Sequence, residues 1–329
     1  MTDGADKKNQ VKEGSVALVA FGGNALIKDG QKGTFQEQRQ AANQMCGTLL
    51  AIVQKGYDLV VTHGNGPQVG NLLIQRELSK GAIPELPLDV LVAETEGSLG
   101  YILQQELLNH LRAHRTGKYV VTMITQVLVD KDDPAFSRPT KPVGPFFTQE
   151  QARQLRQEHP DWVMLEDAGR GYRRAVPSPQ PRRIIQSRMI RALVYGGNVV
   201  IALGGGGIPM IKGPDGNYVG IEAVIDKDLS SAVLANDIKA DLLIVLTGVN
   251  KVQLNFGKPN AKALDTITYT QARQYFLEGH FPAGSMGPKI TAALRYLENG
   301  GRHVIITNAQ CLEAALESND GTHILWSNE

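Results

Sequence analysis

Cysteine is almost missing. Cys46 and Cys311 are the only two in 329 residues. A single pair so far apart makes neither a disulfide framework nor a zinc spacing, which favours a reduced, cytoplasmic setting. An excess of one charge is missing too: Lys and Arg total 34 against 33 for Asp and Glu. No overall field therefore recruits nucleic acid or an anionic membrane, and any anion site must be local. No apolar run is long enough to cross a bilayer, and the polar start MTDGADKKNQVKEG lacks the apolar stretch of a secretory leader. Residues 1–14 read as a disordered tail on a soluble protein.

Several enzyme signatures are absent as well. A P-loop needs a hydroxyl residue after its lysine, whereas Lys289 is followed by Ile290. GNGPQVG imitates a dinucleotide fingerprint loosely, but about 20 residues on the chain reads as the helical VLVAETEG, not as a strand ending in an acidic ribose ligand. Dinucleotide binding stays only as an alternative. Protein-kinase motifs and a nucleophile elbow are not found. No internal repeat or low-complexity tract stands out.

What is present is alternation. SVALVAF precedes a helix near 36–55, YDLVVT one near 67–80, and an amphipathic stretch runs from Glu94 to Arg115. Such alternation implies crossovers and a mainly parallel sheet. Residues 131–182 then hold eight of the sixteen prolines, which reads as an excursion outside the sheet. The pattern resumes with NVVIAL, a hairpin turning at GPDGN, a helix from about Leu229, DLLIVLT, a helix near 287–299, RHVIIT and THILW. The chain is thus expected to be one α/β unit whose two lobes share a continuous sheet.

Glycine marks the ends of those strands. FGGNA follows the first, HGNGP the second, LGGGGIP the strand NVVIA, and LTGVN the strand DLLIV. In open parallel sheets the loops at the carboxyl ends form the ligand crevice. GSMGPK opens a later helix with Pro288 in its first turn and free N–H groups beside it, a pattern that attracts anions. Unrelated turns are the plainer explanation, but about five such loops exceed ordinary glycine usage, and a polyanion such as a nucleotide fits them.

Three lysines stand where phosphate oxygens are expected. Lys227 lies in VIDKDLSS between Asp226 and Asp228, Lys289 ends GSMGPK, and Lys141 lies in the excursion, in RPTKPVGPF. Lone lysines are usually solvated. Glycine-rich or helix-start backbone beside Lys227 and Lys289 changes that reading, because phosphoryl transfer depends on positioning and on neutralising the moving group. His63 is open between touching a substrate and hydrogen-bonding its own loop.

VALVAFGGNAL, VVTHGNGPQVGNLL, PTKPVGPF, EDAGRGYRRAVPSP, GGGGIPMI, GIEAVIDKDLSS, LTGVNKV and GHFPAGSMGPKI together resemble the carbamate kinases of the amino acid kinase family, from about Val16 to the C-terminus. The resemblance implies a three-layer αβα sandwich, a homodimer, and reversible phosphoryl transfer between ATP and carbamate, giving ADP and carbamoyl phosphate. It further implies operation toward ATP synthesis in arginine catabolism. Mg²⁺ would accompany the nucleotide, keeping waters and few protein ligands; no metal-ligating residue is assigned.

By the same resemblance Lys141, Lys227 and Lys289 are catalytic, Lys141 reaching in from a lid over 131–182. Gly22, Gly23, Asn24, Gly64, Asn65 and Gly66, in a lobe of about 15–200, hold the acceptor together with Gly205 and Gly206, which lie just beyond it. Asp226, Asp228, Thr247, Gly248, Val249, Asn250, Ser285, Met286 and Gly287 serve the nucleotide in a lobe of about 201–329. One departure is Asn250, where many relatives carry an acidic residue. Two alternatives remain: a kinase of another small acid, and a non-catalytic sensor of nucleotide or carbamoyl phosphate.

Overall fold

The computed structural model describes residues 11–27, 30–167, 169–282 and 284–327. The tail expected over 1–14 therefore lies largely outside the described residues. In chain order the elements of the first half are β1 (Val16–Phe21), α1 (Phe35–Gln54), β2 (Asp58–His63), α2 (Gly66–Leu78), α3 (Leu88–Ala113), β3 (Val120–Thr122) and β4 (Gln126–Val129). There follow β5 (Lys141–Phe147), α4 (Gln149–Glu158), β6 (Val163–Glu166), β7 (Tyr172–Val176) and β8 (Pro181–Ile184). The second half holds α5 (Ser187–Tyr195), β9 (Val199–Ala202), β10 (Ile208–Lys212), β11 (Tyr218–Gly220), α6 (Lys227–Ile238) and β12 (Leu242–Leu246). It closes with β13 (Gln253–Leu254), β14 (Lys262–Ala263), β15 (Thr266–Thr268), α7 (Tyr269–Leu277), α8 (Met286–Glu298), β16 (His303–Thr307), α9 (Leu312–Leu316) and β17 (Thr322–Leu325).

Eight strands form one sheet in the order β15-β17-β16-β12-β1-β2-β9-β3. β12, β1, β2, β9, β3 and β16 run parallel, while β17 is antiparallel to β16 and parallel to β15. β1 (VALVAF) and β12 (LLIVL) are buried along their whole length. Continuous apolar runs of this kind belong to central strands covered on both faces. Val16 and Leu18 point into the core shared with α5, α6 and α8, whereas Ala17, Val19 and Phe21 point into the core shared with α1, α3 and α9. The alternation of side chains along a strand thus makes one sequence run serve two helical layers, and the three-layer sandwich follows.

α1 shows how local chemistry sets these layers. Thr34 and Glu37 form a reciprocal capping box at its start, which satisfies donors the first turn would otherwise leave open. Ala42, Met45, Cys46, Leu49, Ile52 and Val53 then line its buried face, at the spacing expected of an amphipathic helix.

The proline-rich segment lies outside the large sheet, yet it has a sheet of its own. β5, β7 and β6 pair antiparallel, and α4 packs on them, while β8 joins β4, β10 and β11 in a separate four-stranded sheet. Prolines are tolerated because the strands are short and edge-like, and the β5–β7 register shifts between Val143 and Phe147. The GPDGN hairpin is present between β10 and β11. No helix among the described residues is long and apolar enough to cross a membrane.

Candidate active site

The chain leaves β1 for β2 on one side of the sheet, and β12 lies on the other. That reversal opens a crevice at the carboxyl ends of the strands. A cleft of about 770 Å³ lies there, lined by Gly22, Gly23, Gly66, Pro67, Thr247, Gly248 and Lys289, among others. It is closed by Met45 and Thr48 of α1 and by Asn308, Ala309 and Gln310 after β16.

The glycine loops touch one another. A Cβ on Gly64 would stand 2.6 Å from the Gly23 nitrogen, so the loops after β1 and β2 pack backbone to backbone. A Cβ on Gly205 would collide with the Asn65 side chain, which ties in the loop after β9. Asn65 is itself fixed, its Nδ2 donating to Thr95 Oγ1 at 2.7 Å. Close approach, rather than turn geometry alone, is what requires glycine here.

The charged centre forms at the start of α6. Asp226 is the N-cap residue, its Oδ1 accepting from the Asp228 N–H at 3.0 Å. Its other oxygen accepts from Lys141 Nζ at 2.9 Å, across 85 residues of chain. Asp228 is nearly buried and takes Lys227 Nζ on Oδ1 and Lys289 Nζ, at 3.1 Å, on Oδ2. Burial alone would raise the Asp228 carboxyl, but the two ammonium groups override it and hold it at about 2. Burial presses the Lys227 ammonium below its usual range, with Asp228 opposing and the like charge of Lys289 adding to the effect. Three lysines from three elements thus face two carboxylates, leaving a local excess of positive charge on a surface of near-neutral balance.

His63 is 1 % exposed and lies within this framework. Its Nδ1 lies 3.1 Å from the Gly64 carbonyl; a carbonyl can only accept, so that nitrogen carries the proton. Burial lowers the imidazole to about 4, the Gly64 bond opposing and the Lys227 charge assisting. His63 thus bonds its own loop, and burial favours the neutral ring.

The remaining expected residues divide. Thr247 and Gly248 line the cleft, with the Thr247 N–H donating to the Thr307 carbonyl at 2.8 Å. Val249 and Asn250 continue away from it, Asn250 exposed. Ser285 is exposed at the N-cap of α8 without a side-chain capping bond, Met286 packs on the core, and Gly287 is buried. Free N–H groups expected at this helix start are partly engaged: those of Ser285 and Gly287 donate to the Pro282 carbonyl, at 3.3 and 2.8 Å. The loop folds back on itself, so those two N–H groups are already engaged. Gly206 is buried against the Ile225 carbonyl at the approach to α6. Gly22 and Gly23 lead into a short 3-10 turn over Gly23–Ala25, and the Asn24 side chain lies outside the described residues.

Sequence reasoning missed the α1 and Asn308–Gln310 walls of the cleft, as well as Glu96 and Thr125 beneath the glycine loops. Asn308 follows a strand of the same type as the others, so position alone could have signalled it.

The amino acid kinase family model matches residues 15–308. The chain belongs to the amino acid kinase family. Among its relatives, the carbamate kinase-like protein YahI of Escherichia coli (strain K12) is 49 % identical over 94 % of this chain and 98 % of that protein. The carbamate kinase of Pyrococcus furiosus is 46 % identical over 95 % of this chain and 99 % of its own length. Among solved structures, the carbamate kinase of Giardia lamblia bound to AMP-PNP superposes with a TM-score of 0.88 at 38 % identity, covering 94 % of this chain and 98 % of that one. Within the amino acid kinase family, then, the chain aligns nearly end to end with proteins named carbamate kinases, and its charged centre and glycine loops fall inside the aligned span.

Proposed function

We propose that the protein is a carbamate kinase, transferring a phosphoryl group between ATP and carbamate. The observation that carries this reading is the meeting of Lys141, Lys227 and Lys289 at the start of α6, beside glycine loops that pack backbone to backbone. Full-length similarity to carbamate kinases and the nucleotide analogue in the Giardia structure support it.

Carbamate already carries an ionised oxygen, so the acceptor needs no general base. That oxygen attacks phosphorus in line as the bond from phosphorus to the ADP oxygen breaks, and the electron pair leaves with ADP. Catalysis is then positioning and charge neutralisation. The backbone at Gly22, Gly23, Asn24, Gly64, Asn65 and Gly66, with Gly205 and Gly206, holds the acceptor; Thr247, Gly248 and the start of α8 face the nucleotide. Lys227 and Lys289 neutralise the moving group and release Asp228 to do so. Lys141 adds a third charge from the small subdomain, which acts as a lid. In this reading the acceptor lobe spans about 15–200 and the nucleotide lobe about 201–329.

A divalent ion such as Mg²⁺ would complete the charge balance. Asp226 and Asp228 offer the hard oxygen donors such an ion takes, but both are paired with ammonium groups. No cluster of three His, Cys, Asp or Glu side chains suited to a metal occurs among the described residues. The donor set fits an ion held chiefly by nucleotide phosphates and water, to which Asp226 could contribute an oxygen on parting from Lys141. When bound, the ion neutralises phosphate charge.

We place the working direction at ATP formation, in the cytoplasm, as part of arginine breakdown, and the active form as a homodimer. Val90 and Tyr101, three turns apart on the exposed side of α3, offer apolar surface for a second copy. A coupled assay for ATP from ADP and carbamoyl phosphate tests the reading: folded protein that makes none would remove it, and activity with another acyl phosphate alone would favour a different small-acid kinase.

A further inference from the structure

Glu96 has no part in the chemistry above, yet it is only 2 % exposed, on the inner face of α3. Its Oε2 accepts from the Thr125 N–H at 2.8 Å, and its Oε1 has no hydrogen-bonding partner among the described residues. Thr125, itself fully buried, holds the glycine loop at both ends: its Oγ1 accepts from the Leu203 N–H at 3.2 Å, and its carbonyl accepts from the Ile208 N–H at 2.9 Å. Between those anchors the backbone is unusual. Leu203 has φ +54°, and Gly205, Gly206 and Gly207 have φ +67°, +99° and +90°. A left-handed leucine persists only where its surroundings dictate the conformation.

Gly204 rests directly on this support. A Cβ there would stand 2.8 Å from Glu96 Cγ and 2.8 Å from His63 Cε1. Two buried side chains therefore form the floor under the loop.

We propose that Glu96 is a positioning residue, setting the Leu203–Gly207 loop through Thr125 so that Gly205 and Gly206 are held beside the acceptor and the start of α6. The inference rests on the functional reading above only for what the loop binds. The chemistry suits the place. Burial raises the Glu96 carboxyl well above its usual range, the Thr125 N–H bond opposing, so the environment disfavours the charged form. The carboxyl supplies an acceptor for a buried N–H, and disfavouring its charged form limits negative charge next to the proposed phosphate site.

Three variants test this: Glu96→Gln keeps an acceptor, Glu96→Leu removes it at similar volume, and Thr125→Val removes the Oγ1 anchor should the leucine variant fail to fold. Hydrogen exchange of the 203–208 amides is measured alongside kcat and the KM values for ADP and carbamoyl phosphate. Glu96→Gln should stay within about threefold of the parent, while Glu96→Leu and Thr125→Val exchange faster in the loop and lose about 10–100-fold in kcat with the KM for ADP little changed, since small misplacements in a positioning site have effects of that order. Parent-like exchange and turnover in Glu96→Leu and Thr125→Val would overturn the proposal, as would a Glu96→Gln variant as impaired as the leucine one. Faster loop exchange in a protein whose parent forms no ATP from carbamoyl phosphate would uphold the positioning role and reject the functional reading instead.

Discussion

The carboxyl edge of the large sheet and the small subdomain built on β5, β6 and β7 deliver the same chemical group by different means. Lys227 and Lys289 rise from the first turns of α6 and α8, helices whose apolar faces belong to the main core. Their side chains are 12 % and 18 % exposed and share one buried carboxylate. Lys141 starts an edge strand in a unit with few buried apolar residues, is 37 % exposed, and bonds a capping carboxylate that is not its own neighbour. Charge fixed by a core is pre-organised; charge brought on a separate unit can be withdrawn. Exposed ion pairs of the second kind contribute little to stability, so the proposed exchange of Asp226 for a phosphate would cost Lys141 little.

The sharpest way to break that contrast is to remove the lysines one at a time. Lys227→Ala and Lys289→Ala should each lower turnover by about 10²–10³-fold, about 3–4 kcal/mol, as expected for a donor aimed at developing charge. Lys141→Ala should have a smaller effect, about tenfold in turnover, since in the proposed lid reading its charge arrives only on closure. Its melting temperature should match the parent, and ADP with carbamoyl phosphate should protect the 131–183 segment from proteolysis in the parent. A Lys141→Ala enzyme with full activity, in a protein whose proteolysis ignores ligands, would reduce the subdomain to decoration.

The core side of the contrast also has a pH signature. His63 is held neutral, with its imidazole at about 4 against an ordinary 6.5. The unfolded chain therefore binds a proton more readily, so the stability linked to this residue is complete above about pH 6.5 and is lost progressively as pH falls toward 4. The difference amounts to about 3 kcal/mol by the usual conversion. Urea unfolding at several pH values should show His63→Gln to be less acid-sensitive than the parent across that window; identical slopes would mean the ring is not held neutral. The smallest effect is expected at Asn250, which is exposed. Asn250→Asp should change ADP affinity by no more than about tenfold, the scale separating charged from neutral hydrogen bonds.

The two regions also differed in how far they could be read from sequence. β1, β2, β12 and β16 were legible because fully apolar runs bounded by glycine leave little choice of structure, and the lysines at helix starts stood out against that background. The small subdomain was legible only as an interruption: short, proline-containing strands such as KPVGPFF carry no alternation, and their pairing with Tyr172–Val176 is decided by contacts some thirty residues away. The Lys141–Asp226 bond has the same character. α7 and the Gln253–Leu254 ribbon are not legible from the sequence pattern either, being short elements stabilised by neighbours. Glu96 was hidden for another reason: an acidic residue on an amphipathic helix ordinarily faces water, and only the tertiary structure shows it turned inward beneath the glycine loop.

The claim that the core-anchored lysines act on the transferring group, and not simply on bound nucleotide, is tested most directly by single-turnover phosphoryl transfer from carbamoyl phosphate to ADP in Lys289→Ala, with the ADP dissociation constant measured on the same preparation. The transfer rate should be about 10²–10³-fold slower, with the dissociation constant within about threefold of the parent. A transfer rate that recovers at saturating ADP, with the whole loss in affinity, would contradict it.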